Sequence, residues 1–157
     1  MVSSKNITVL FASTSGHTEY VVEVLTEYWK EKYPELHYTV KRAEQAGAED
    51  LTAGDILILG SGTWNMYGQE GQLNDRMHAL LFDRCKDVDL SKTPVALISL
   101  GDDRYYFTTR ATEHFMRFLK EHGGKTLLMP LTIVNEPYGQ EEKIQKWAEK
   151  FAEKVMQ

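Results

Sequence analysis

Two strand-length apolar stretches, Asp55-Ile56-Leu57-Ile58-Leu59-Gly60 and Pro94 to Leu100 with Ser99 its one polar residue, constrain the fold of this chain more than anything else in it. A run without polar alternation describes a strand covered on both faces, the condition of an inner strand in a parallel sheet. Ile7 to Ala12, rich in β-favouring residues, reads the same way. Amphipathic helices separate the runs. Val21, Val24, Leu25, Tyr28 and Trp29 share a face from about His17 to Lys32, and Pro34 stops that helix. Leu73, Met77, Leu80 and Leu81 mark a helix from about Gln72 to Phe82, and Ala111, Phe115, Phe118 and Leu119 one from Thr108 to His122. The last helix, from about Gln140 to Met156, turns Ile144, Trp147, Ala148, Phe151, Ala152 and Val155 inward. Leu36 to Arg42 alternates as an edge strand does, and Lys125 to Val134 supplies the final strand. Strand and helix alternate five times, which predicts an α/β fold: a doubly wound, five-stranded parallel sheet with helices on both faces, in a single domain over residues 1–157.

In such a sheet the loops that follow the strands share one edge, and ligands bind there. Three of these loops are unusual. The first is Ser13-Thr14-Ser15-Gly16-His17-Thr18, in which four of six residues carry hydroxyls. The leading amides of a helix have no intrahelical partner and lie at the positive end of its dipole, so this turn suits an anion. Gly16 lets the backbone approach without a Cβ in the way. With no Lys or Arg present, a phosphate here is held by dipoles and hydrogen bonds; equally, small hydroxyl residues are ordinary helix caps. The second loop runs from Ser61 to Gly71 and contains Gly62-Thr63-Trp64-Asn65. The third is Gly101-Asp102-Asp103-Arg104-Tyr105-Tyr106-Phe107. Trp64, Tyr105 and Tyr106, each alone, read as tucked surface aromatics. Together they flank the anion turn, and a flat aromatic ligand carrying a phosphate satisfies all three loops.

The pattern G-x-x-x-x-G-K-[ST] is absent, which excludes a P-loop nucleotidase, and no G-x-G-x-x-G follows the first strand. Cys85 lacks an arginine six residues on, against a cysteine phosphatase, and no His/Cys/Asp/Glu set has zinc spacing. The net charge of −5 argues against nucleic acid and suits docking on a basic protein surface. The apolar runs are too short to cross a bilayer, and the N-terminus lacks a signal-peptide pattern. A lone cysteine excludes an internal disulfide and fits a reducing compartment, so the expected location is the cytoplasm.

These motifs, in this order and after these strands, resemble the short-chain flavodoxins over essentially the whole chain. The first loop fits that family's [ST]-x-[ST]-G-x-T phosphate loop. The resemblance implies the strand order 2-1-3-4-5 and a non-covalently bound FMN. Its phosphate would lie on Ser13, Thr14, Ser15, Gly16, His17 and Thr18. Trp64, within Gly62-Thr63-Trp64-Asn65, would cover the inner face of the ring, and Tyr105 or Tyr106, with Tyr105 favoured, the outer face. Backbone amides near Gly101 and Asp102 would meet the pyrimidine end. The implied role is a monomeric, low-potential one-electron carrier rather than an enzyme. It would cycle FMN between semiquinone and hydroquinone, and a reductase and an electron acceptor would dock at the flavin edge. The contrasting role on a similar fold is an NAD(P)H-dependent flavin or quinone reductase, whose second substrate would need the space that Tyr105 covers. His17 stands where the family often has Asn; it either bonds the phosphate in a pH-dependent way or faces water. Asn65 stands where the family flips a peptide towards the reduced flavin, a turn that needs positive φ. Gly adopts positive φ most easily and Asn next. Asn65→Gly is therefore expected to raise the semiquinone yield in a reductive titration; an unchanged or lowered yield overturns that.

Overall fold

In a computed structural model of the chain, residues 5–66, 69–103 and 109–156 are described. The elements are β1 (Asn6–Phe11), α1 (His17–Lys32), β2 (His37–Arg42), α2 (Ala48–Leu51), β3 (Ile56–Met66), β4 (Gln69–Leu73), α3 (Asp75–His78), β5 (Val95–Gly101), α4 (Ala111–Glu121), β6 (Leu131–Val134) and α5 (Glu141–Val155). Five strands pair in parallel in the order β2-β1-β3-β5-β6. Counting these parallel strands alone, that is the order 2-1-3-4-5.

The five-stranded expectation needs one correction, because the sheet has a sixth strand. β3 runs on past Gly60 to Met66 and folds back on β4 as an antiparallel pair, with Thr63 opposite Leu73 and Trp64 opposite Gln72. The glycines of 61–71 read as loop, but Thr63 and Trp64 are good strand formers, and Gly71 (φ 75°) takes a backbone conformation open to glycine. His114 of α4 fastens the pair through Nε2 and the Gly71 carbonyl, 2.6 Å apart. The helix expected from Gln72 accordingly starts later, at α3. It then widens into a π-wound segment, Ala79–Arg84, that keeps Leu80 and Leu81 buried. The last strand is also shorter than expected: before Leu131 the chain makes only an isolated bridge, Val95 with Thr126.

The strands' period of two divides the core in two. Ile7, Val9, Phe11, Ile56, Ile58, Ala96, Ile98 and Leu100 face α1 and α5, and Leu10, Leu57, Leu59, Val95 and Leu97 face α2, α3 and α4. Alternate apolar residues thus find partners on both faces, which is why these strands show no polar alternation. Trp29, fully buried on α1, donates its indole N–H to the Ala148 carbonyl of α5 (3.0 Å) and packs on Phe151. Cys85 is buried in the second core, and desolvation pushes its thiol up to about 11. It is packing material, not a nucleophile.

The strand order reverses between β1 and β3. From their aligned ends, Phe11 beside Gly60, the chain leaves towards opposite faces. The crevice so formed lies beyond the carboxyl ends of the strands.

Candidate functional site

A cavity of about 730 Å³ occupies this crevice. Its wall brings together the turn after β1 (Ser13, Thr14, Ser15, His17, Thr18), Gly62, Thr63 and Trp64 of β3, the segment Leu100 to Asp103 after β5, and Asn135 and Glu136 after β6. Among the described residues lining it there is neither Lys nor Arg.

The hydroxyl turn divides its labour. Ser13 is buried, and its Oγ accepts hydrogen bonds from the amides of Gly16 (3.1 Å) and Glu19 (3.3 Å). It therefore serves as the cap of α1 from upstream. Gly16 holds φ 93°, in the left-handed region, and the space where a Cβ would project is open. Thr18 is buried, and its methyl would lie 3.5 Å from a Cβ at Gly60, so a small residue on β3 lets the start of α1 sit against the sheet. Thr14 and Ser15 are exposed. Among the described residues no acceptor meets the amides of Ser15, His17 and Thr18. Capping and anion binding are thus not alternatives: Ser13 caps, and the remaining donors stay available to an anion. Glu19, in the first turn of α1, is ion-paired with Arg42, which balances a carboxylate close to that donor set.

Asn74 secures the turn from the other side, a residue that pattern reading overlooked. It is 2% exposed. Its Nδ2 donates to Thr14 Oγ1 (2.9 Å), and its Oδ1 accepts from the Arg76 amide (3.0 Å) and so caps α3. Its own amide donates to Ser61 Oγ (3.1 Å). One side chain thereby joins the hydroxyl turn to the start of α3, and its backbone joins both to the end of the parallel part of β3.

The second segment is half-buried at Thr63 and Trp64. Thr63 Oγ1 accepts from the Ala111 amide (3.0 Å), so this hydroxyl caps α4. A Cβ on Gly62 would stand 2.8 Å from Trp64 Nε1; the glycine is what allows the indole to lie back against the strand at the cavity wall. Asn65 lies within β3.

At the third segment, Gly101 and Asp102 are half-buried at the wall and Asp103 is exposed. Asn135, in the left-handed region at φ 68°, donates its amide to the Gly101 carbonyl (2.7 Å). Its side chain accepts from the Asp103 amide (3.1 Å) and donates to Asp103 Oδ2 (3.0 Å). Tyr105 and Tyr106, like Arg104, lie outside the described residues. His17 meets Tyr138 edge-on (5.6 Å), and Tyr138 leans on Tyr20 (4.8 Å). The Tyr20 hydroxyl donates to Glu141 (2.6 Å), which raises the phenol's pKa and lowers that of the carboxyl.

Unpartnered helix-start amides, an aromatic wall and a rim carrying Asp102, Asp103 and Glu136 make a seat for a planar group with an anionic tail. The donor set fits the phosphate of FMN, and Trp64 fits its ring.

The comparisons with known proteins point to one family. The family model described as flavodoxin matches residues 9–147. A probable flavodoxin 2 of Bacillus subtilis (strain 168) is 30% identical over 152 residues, covering 94% of this chain and 95% of that protein. A flavodoxin of Nostoc sp. (strain PCC 7120) is 29% identical over 126 residues, covering 79% of this chain and 69% of that one. The crystal structure of oxidised flavodoxin 2 from Bacillus cereus superposes with a TM-score of 0.80 at 29% identity, covering 95% of this chain and 99% of the other.

Proposed function

The chain belongs to the flavodoxin family of FMN-binding electron-transfer proteins, and we propose that the cavity beyond β1, β3 and β5 is where it holds FMN. The observation that carries this reading is the set of unpartnered amides at the start of α1, on the same cavity as Trp64 and the Gly101–Asp103 segment. When bound, FMN supplies one-electron redox chemistry. The protein's residues bind and tune it. Ser15, His17 and Thr18 offer amides to the phosphate, and Ser13 and Asn74 hold those donors in place. Trp64 offers an indole face to the ring, and Asn135 holds the segment facing its pyrimidine end. Asp102, Asp103 and Glu136 disfavour added negative charge in a cavity whose described lining residues include no Lys or Arg, which supports a low reduction potential.

The chain works as a single domain and a monomer in the cytoplasm, an electron carrier and not an enzyme. It passes electrons from a reductase to an acceptor protein, both docking at the acidic rim. No described helix is long and apolar enough to cross a membrane. The test is titration of the apoprotein with FMN and with riboflavin, together with an NADPH-consumption assay using a quinone as acceptor. Stoichiometric FMN uptake, riboflavin uptake weaker by at least tenfold because it lacks the phosphate, and no turnover are expected. Equal affinities remove the phosphate from the turn, and steady NADPH oxidation by the protein alone makes it an enzyme.

A further inference from the structure

We infer that Asn135 is the positioning residue that sets how tightly the ring end of the flavin is held, a statement that rests on the FMN reading of the cavity. The residue lies after β6, outside the three loops whose composition draws attention, and it lines the cavity. Three hydrogen bonds run from it to the Gly101–Asp103 segment. Its backbone amide takes the Gly101 carbonyl, its Oδ1 takes the Asp103 amide, and its Nδ2 takes the Asp103 carboxylate. Pairing β5 with β6 aligns Gly101 with Val134, so Asn135 leaves the sheet beside the start of that segment. The left-handed backbone at φ 68° turns its side chain back across the strand ends, a conformation Asn tolerates better than most residues.

Two consequences follow for the ring. The Asp103 amide is engaged by Asn135 and is not offered to the flavin, so the pyrimidine end meets a segment whose direction Asn135 dictates. The exposed Asp103 carboxylate is tethered on the cavity rim by Asn135 Nδ2, so its charge acts on the ring from a set position. All three hydrogen bonds of Asn135 go to the Gly101–Asp103 segment and none to the turn at the start of α1 that would hold the phosphate. A purely structural residue would change overall stability; Asn135 instead changes affinity for the ring and the reduction potential.

The test uses four full-length proteins: wild type, Asn135→Gly, Asn135→Asp and the exchange Asn135→Asp with Asp103→Asn. Glycine keeps the left-handed backbone and removes both side-chain bonds. The Asn135→Asp change keeps the acceptor but sets two carboxylates against each other. In the exchange, the new carboxylate at position 135 accepts from both the backbone amide and the new side-chain amide of position 103, so the reciprocal pair re-forms at unchanged net charge. Apoprotein affinities for FMN and riboflavin are measured by flavin fluorescence quenching, alongside the midpoint potential and the urea midpoint of the apoprotein. Asn135→Gly is expected to weaken FMN and riboflavin by the same factor, about tenfold, and to shift the potential to less negative values. Asn135→Asp weakens both further, and the exchange restores both to within about threefold of wild type.

Unchanged affinities and potential in Asn135→Gly overturn the inference, as do single variants whose losses the exchange does not restore. So does a loss seen for FMN alone, which would place Asn135 at the phosphate. Wild-type protein that binds neither flavin instead overturns the FMN reading itself.

Discussion

Trp29→Ala should lower the stability of the apoprotein by about 3–5 kcal/mol, with a fall in melting temperature on the order of 10 °C, and leave FMN affinity unchanged. Trp29 has no exposed surface and lies where α1 crosses α5, against Phe151 at 5.1 Å and Tyr38 at 5.8 Å. Truncation removes the transfer free energy of the indole and leaves a cavity that helices fixed on a sheet cannot close. It also deletes the bond to the Ala148 carbonyl, worth about 1 kcal/mol, so Trp29→Phe should cost only about 1–2 kcal/mol. Equilibrium urea unfolding measures both. The affinity should hold because the Ser13 bonds to Gly16 and Glu19 fix the donor end of α1 independently of this contact. A loss below about 1 kcal/mol in the alanine variant would mean that the two helices repack around the gap.

Trp29 also marks what pattern reading captures well. Burial obeys the period of the element, so the inward faces of α4 and α5 are the residues the helical spacing picks out, and the strands buried on both faces are the runs without alternation. The hydroxyl turn was legible because its chemistry is local: the donors, the glycine and the helix that orients them are neighbours in sequence. What escaped is set by tertiary contact. β4 is a strand because Trp64 and Thr63 offer it a partner, although its composition says loop. Thr63 reads as a cavity residue, yet its hydroxyl is occupied in capping α4, forty-eight positions away. Neither Asn74 nor Asn135 belongs to one of the sequence motifs. Their importance lies in hydrogen bonds spanning 60 and 32 positions, which no local pattern encodes. An Asn ahead of an apolar helical face is a recognisable cap signal, and it is the one local cue that points to Asn74.

Asn74→Ala should cost about 2–3 kcal/mol of stability and weaken FMN binding about tenfold while leaving riboflavin binding unchanged. The stability loss has two sources that the structure separates. The Arg76 amide loses its cap at the start of α3, worth about 1 kcal/mol. Thr14 Oγ1 loses a donor that is almost wholly shielded from water, worth a similar amount. The bond from the Asn74 amide to Ser61 survives, since any residue but proline supplies it. The binding loss comes only from the Thr14 contact, which fixes the turn before the anion arrives; without it, the ordering cost falls on the binding step. Asn74→Asp divides the two effects. A carboxylate oxygen caps α3 as well as an amide does, so stability should recover by about 1 kcal/mol over the alanine variant. The same carboxylate stands beside Thr14, within reach of the phosphate's field, so FMN should bind more weakly than to the alanine variant and the deficit should shrink as salt is added. Riboflavin, without the phosphate, should bind all three proteins alike. Should riboflavin lose affinity in parallel with FMN, Asn74 would be acting on the ring through β3 and Trp64, and the turn would have to be held in place by Ser13 alone.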